Sequence, residues 1–143
     1  MNAMKKTGSS IEFSAERDSE IMERFSQRLS QRRGIDPSIY KEVVEMPASR
    51  FWVSEPRAAY VVGKSLKGYD FSGMFEEKRL MFEEITRRVR RIIKDDPGVT
   101  IASAVFQVVN SEAPRFYISP ETAKSIIYRV GRERRRSGGR GQA

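Results

Sequence analysis

Arg50–Lys64 reads RFWVSEPRAAYVVGK, and Arg115–Arg129 reads RFYISPETAKSIIYR. The two strings lie 65 residues apart, and the match runs without a gap from Glu42/Gln107 to Lys64/Arg129, with seven of its 23 columns identical. Trp52/Tyr117, Val53/Ile118, Val61/Ile126, Val62/Ile127 and Lys64/Arg129 keep their chemistry. Two amphipathic helices share aliphatic positions by chance, but not an ungapped Arg-Phe-aromatic-aliphatic-Ser run. Self-similarity at a fixed offset marks one supersecondary unit used more than once. The chain therefore reads as an internal duplication.

Each string predicts the same local structure. Val43-Val44 and Val108-Val109 close one helix, and a long turn holding Pro47 or Pro114 follows. Ser54 or Ser119 then caps the next helix, with a proline and an acid in its first turn. Outward from the strings, Ile21, Met22, Phe25 and Leu29 form one apolar stripe on a helix from Ser14 to about Arg33. Asp36-Pro37 opens a short helix with Ile39, Tyr40, Val43 and Val44 inward, and Ala58, Val61, Val62 and Leu66 line the third. The pattern restarts near Glu76, with Leu80, Phe82, Ile85, Val89, Ile92 and Ile93 as candidate core. Thr100 caps a fifth helix, and a sixth buries Ala123, Ile126, Ile127 and Val130. No stretch alternates at period 2 persistently, so no sheet is expected.

The predicted fold is all-α: two tandem three-helix, helix-turn-helix-like units. The expected boundaries are a flexible leader at 1–13, a first unit at 14–67, and a linker at 68–75 with Gly68 and Gly73. A second unit follows at 76–136, then a disordered basic tail at 137–143.

Composition narrows the function. The 143 residues carry 27 Lys+Arg against 19 Asp+Glu, no histidine and no cysteine. Absent cysteine excludes a disulfide framework and a thiolate zinc site, and fits a reducing cytoplasm. Absent histidine removes the commonest general base and metal ligand. No apolar run reaches the roughly 18–20 residues of a membrane span, so no membrane partner is expected. From Lys124 onward seven basic side chains face only Glu133, which points to a polyanion or, more blandly, to a solubilising face. No P-loop, paired-acid motif, nucleophile elbow or metal spacing is visible, so neither enzyme activity nor a cofactor is expected.

A third helix entering the major groove of double-stranded DNA is how helix-turn-helix units read sequence. The outward residues of the first copy are then Arg57, Tyr60, Lys64 and Lys67. Those of the second are Thr122, Lys124, Ser125, Tyr128, Arg129 and Arg132. Arg134, Arg135 and Arg136 would add non-specific phosphate contacts. Arg50 and Arg115 each either hold a phosphate, or cap the carbonyls of the preceding helix, or stack on Trp52 or Tyr117. Phe51 and Phe116 read as core. Arg87, Arg88, Arg90 and Arg91 read chiefly as solvated partners of Glu83 and Glu84.

Two other classes stay open: an RNA binder with Trp52 or Tyr117 stacked on bases, and a protein-interaction adaptor or virion component. The composition also leaves room for self-association. ASRFWVSEPRAA (residues 48–59) and the EKRLMFEEITRRV and PRFYISPETAKSIIYRV segments resemble small proteins of gut Bacteroides genomes and their phages. That resemblance implies a bacterial or phage setting and carries over no activity and no functional residue.

Overall fold

Caps and prolines set where the helices of this computed structural model begin. It describes the backbone of residues 2–142 and the side chains of residues 13–137. Six helices follow in order: α1 (Asn2–Ser30), α2 (Ser38–Val44), α3 (Glu55–Leu66), α4 (Glu76–Asp95), α5 (Ile101–Val109) and α6 (Pro120–Gln142). The described fold is all-α. Ser54, Thr100 and Ser119 cap α3, α5 and α6, their hydroxyls accepting from the backbone N–H of Arg57, Ser103 and Thr122 at 3.2, 3.1 and 3.1 Å. Helix α2 begins one residue later than expected, with Pro37 rather than Asp36 at its N-cap; Asp36 Oδ1 accepts from the Ser38 N–H at 2.9 Å.

Both chain ends differ from expectation. Helix α1 opens at Asn2, in place of a leader over 1–13 and a cap at Ser14; α6 continues to Gln142, in place of a disordered tail over 137–143. Met1, Ala143 and the side chains of 1–12 and 138–143 lie outside the described residues. No proline interrupts residues 2–30. Once nucleated, a helix propagates one bond per residue, and serines cost it only a few tenths of a kcal/mol each.

The larger correction concerns which helices pack together. The chain divides into unit 1, Met1–Met46 with Ile118–Ala143, and unit 2, Pro47–Tyr117. Unit 1 therefore packs α1, α2 and α6, and unit 2 packs α3, α4 and α5. The consecutive units expected at 14–67 and 76–136 do not form; each has given its third helix to the other. Gly68–Phe75 is accordingly no boundary, because it joins α3 to α4 inside unit 2.

The turns before the third helices explain the exchange. Ala48 and Ala113, fully buried and 65 residues apart, exchange backbone hydrogen bonds of 2.9 Å in both directions. The Phe51 N–H reaches the Val109 carbonyl at 3.0 Å. Ala48 and Phe51 thus tie residues 45–54, a run of bends, to the second turn and to the end of α5. The apolar faces of α3 and α6 are near-equivalent, with Ala58/Ala123, Val61/Ile126 and Val62/Ile127 all buried, so each suits either bed.

The 65-residue offset recurs in the coordinates. Val44 and Val109 end α2 and α5, while Glu55 and Pro120 begin α3 and α6. Most predicted core residues are buried, including Ile39, Tyr40, Phe51, Phe82, Ile85, Val89 and Phe116. On α4 the inward register differs slightly: Met81 is buried where Leu80 was expected, and Ile92 and Ile93 are half-buried.

The third helices differ in length for a local reason. Helix α3 stops in a Schellman turn, where the Gly68 N–H bonds the Ser65 carbonyl at 3.0 Å and the Tyr69 N–H the Lys64 carbonyl at 3.2 Å. Gly68 takes φ of 103°, which costs glycine nothing. The offset position in α6 is Glu133, and the helix runs through it.

Candidate nucleic-acid interface

Helix α6 packs against α1 and α2 through Ala123, Ile126, Ile127 and Val130. Beside that buried stripe, Lys124, Tyr128, Arg132 and Arg135 follow at spacings of four, four and three. Positions so spaced lie over one another on a helix. Tyr128, Arg132 and Arg135 of this row form one wall of a groove of about 460 Å³. Met22 and Phe25 of α1, Ile35 of the α1–α2 turn and Tyr40 of α2 complete it, with Ile127 and Gly131 of α6 between.

The groove is aromatic inside and cationic at its edge. The rings of Phe25 and Tyr40 lie parallel with centroids 6.2 Å apart, and Tyr128 stands edge-on to Tyr40 at 6.4 Å. Lys124 Nζ sits 5.8 Å from the Tyr40 ring centre and 5.6 Å from that of Tyr128. Burial, then the hydrogen bond with Tyr128, pushes the Tyr40 phenol up to about 12. Tyr40 is therefore an uncharged floor, while Tyr128 is 53% exposed at the rim. A Cβ at Gly131 would lie in ordinary contact with α1 and the rim, 3.9 Å from Met22 Cε and 3.5 Å from Arg135 Nη1.

The structure sorts the residues singled out by sequence. Lys124, Ser125, Tyr128, Arg132, Arg135 and Arg136 are exposed on α6, and no carboxylate pairs with its lysine or with Arg132, Arg135 or Arg136 among the described residues. Arg134 is exposed and reaches Ser19 Oγ at 3.4 Å. Thr122 is exposed, with its hydroxyl 2.9 Å from Ser119 Oγ. Arg129 is half committed: its Nη2 lies 2.5 Å from Oδ2 of Asp18, an acid only 5% exposed on α1. Arg57, Tyr60 and Lys64 belong instead to α3, in unit 2. There Lys64 Nζ lies over Tyr69 at 4.5 Å and Tyr60 at 5.6 Å.

Arg50 and Arg115 both lie over the aromatic of their own turn. Arg50 donates to the carbonyls of Phe51 and Val53 at 3.0 and 2.9 Å and lies 5.3 Å over Trp52. Arg115 Nη2 sits 3.1 Å from Glu77 Oε2, and its guanidinium lies 5.7 Å over Tyr117. Each pins its own turn. Tyr117 is stacked on Phe51 at 5.9 Å and half-buried, with its phenol raised first by burial and next by Glu84. It alone among the described non-glycine residues takes a positive φ, 59°. The arginine-rich run of α4 is split: Arg87 and Arg88 pair with Glu84 at 2.6 and 2.7 Å, whereas Glu83 turns to Arg79 at 3.0 Å. Arg88 also holds the Glu112 carbonyl at 2.9 Å and covers the Phe51 ring at 5.0 Å.

Sequence reasoning missed the groove and the buried Asp18. Met22, Phe25 and Tyr40 were read as core by their spacing, which does not distinguish a closed interior from an open cleft. The one available signal was the Lys124-Tyr128-Arg132-Arg135 spacing, which puts cations and an aromatic on one stripe. Among the described residues no helix is long and apolar enough to cross a membrane, and no group of acids could hold a metal ion. Comparison with protein-family models, curated proteins and solved structures yields no match.

Proposed function

We propose that this protein binds double-stranded DNA without catalysis, using the exposed face of α6 in unit 1, in a regulatory or architectural role. One observation carries the reading: Lys124, Arg132, Arg135 and Arg136 crowd one helix without a carboxylate to neutralise them among the described residues. Elsewhere arginines are largely paired, as Arg28 with Glu42 and Arg87 and Arg88 with Glu84. An unneutralised cationic helix gains most from a polyphosphate, whose condensed counterions it releases.

The geometry suits a duplex. One α-helix fits a major groove about 12 Å wide, and α6 exposes Glu121, Thr122, Ser125 and Tyr128 near its start for base edges. Unit 1 supplies the three-helix frame through α1 and α2, although its third helix comes from the far end of the chain. Duplication and fusion of one helix-turn-helix-like unit accounts for the shared helix ends and caps of the two strings.

The test is fluorescence anisotropy of labelled duplex, single-stranded DNA and RNA at several salt concentrations. Duplex binding with a steep salt dependence is expected, with the slope reduced by about 0.9 for each of Arg132→Ala and Arg135→Ala. Absent affinity at low salt overturns the reading and favours the adaptor class.

A further inference from the structure

We propose that the groove beside α6 is a slot for one unpaired nucleobase, so that the preferred target is a duplex carrying an extrahelical nucleotide. This rests on the nucleic-acid reading above and narrows it. The major-groove contacts of α6 do not use Met22, Phe25, Ile35 or Tyr40. These four nevertheless leave an open cleft, with Ile35 60% exposed on its far side.

The chemistry of the cleft selects its occupant. Its α6 wall carries planar groups, the half-exposed Tyr128 ring with the Arg132 and Arg135 guanidiniums, and planar groups favour a π-faced partner. Its volume of about 460 Å³ falls in the roughly 300–1,000 Å³ range of small-ligand sites. Its cations stand outside the apolar floor, so the occupant is neutral in the middle and anionic at its ends. A base with its flanking phosphates has that form.

The cations also indicate a strand. Lys124 and Arg135 are eleven residues apart, about 16 Å along the helix at 1.5 Å per residue. A lone mononucleotide does not span that row, whereas a backbone with a charge at every step does. A paired base is covered on both faces by its neighbours; only an unpaired one offers a face to an aromatic side chain.

Titration of three labelled duplexes tests the slot: one fully paired, one with a single extrahelical 2-aminopurine, and one with an abasic site at that position. The extrahelical base is expected to bind roughly 5- to 150-fold more tightly than the abasic site, the range that base–aromatic stacking supplies. Its fluorescence changes on binding. Tyr128→Ala removes that advantage and Tyr128→Phe keeps it. Gly131→Leu, whose side chain enters the cleft beside Arg135, removes the advantage of the extrahelical base over the abasic site. Circular dichroism melts establish that each variant folds.

Equal affinity for all three duplexes, or an advantage surviving both Tyr128→Ala and Gly131→Leu, overturns the slot but not duplex binding. Saturating nucleoside monophosphate that abolishes the advantage, while itself binding as tightly as the extrahelical duplex, overturns the strand requirement. Failure of every duplex to bind overturns the parent reading instead.

Discussion

Unit 1 and unit 2 share a plan but not a surface. Shifted by 65 residues, Tyr40 becomes Val105, Lys124 becomes Ala59, Tyr128 becomes Gly63, Arg132 becomes Lys67 and Arg135 becomes Asp70. Every position that makes the groove aromatic or its rim cationic is therefore lost or weakened in unit 2, while the buried Ala-Val/Ile-Val/Ile stripe is kept. Unit 1 carries 15 basic and 10 acidic side chains, or +5, and unit 2 carries 12 and 9, or +3. Packing positions are kept alike while surface positions are driven apart, so only unit 1 offers the aromatic and cationic face on which the proposed binding rests.

The largest expected effect comes from removing the cation row. Lys124→Ala, Arg132→Ala and Arg135→Ala together should lower the log–log salt slope by about 2.7 and weaken every duplex, as three lost phosphate contacts require. Lys67→Ala in unit 2 should move the slope by less than about 0.9. Anisotropy titrations at four salt concentrations decide between them. A larger change from Lys67 would invert the comparison.

Next come the acids at the offset pair Asp18 and Glu83. Asp18 is buried between Arg17 at 3.0 Å and Arg129 at 2.5 Å, whereas Glu83 is an exposed partner of Arg79. Breaking a fully buried pair costs about 3–5 kcal/mol; because Arg129 is 47% exposed, Asp18→Asn should cost about 1–3 kcal/mol. Glu83→Gln should cost no more than about 0.5 kcal/mol. Urea melts with unchanged m-values give both numbers, and equal costs would refute the distinction.

The exchange of third helices was hidden from sequence for a physical reason. Because α3 and α6 present near-equivalent apolar stripes, the pattern identifies the stripe without saying which bed receives it. What decides is the pairing of Ala48 with Ala113, a backbone event that leaves no mark in side-chain periodicity. By contrast, the capping serines and the core stripes of α2, α3 and α6 were legible, since capping and 3.6-residue spacing are local. Of the site, the cationic face of α6 was readable. Arg50 and Arg115 remained undecided because their partners, the Phe51 and Val53 carbonyls and Glu77, are defined only once the turns and α4 are placed.

A smaller effect tests why the third helices end differently. Gly68→Ala leaves nothing for its Cβ to strike, so its cost is the positive φ alone, about 1–2 kcal/mol. Glu133→Gly in α6 should cost about 1 kcal/mol through helix propensity. Thermal melts suffice. A neutral Gly68→Ala would show that the Schellman turn does not stop α3. The smallest effect is expected at Arg57, exposed on α3: Arg57→Ala should change duplex affinity less than twofold by anisotropy.

The central claim is that one face of α6, rather than both third helices, meets nucleic acid. Photo-cross-linking to a duplex with evenly spaced reactive bases, followed by peptide mapping, tests it directly. Adducts are expected within residues 121–136, Tyr128 and Lys124 foremost, together with Ile35 or Tyr40 when an extrahelical base is present. Adducts on residues 55–66 at comparable yield, or confined to α4, would contradict it.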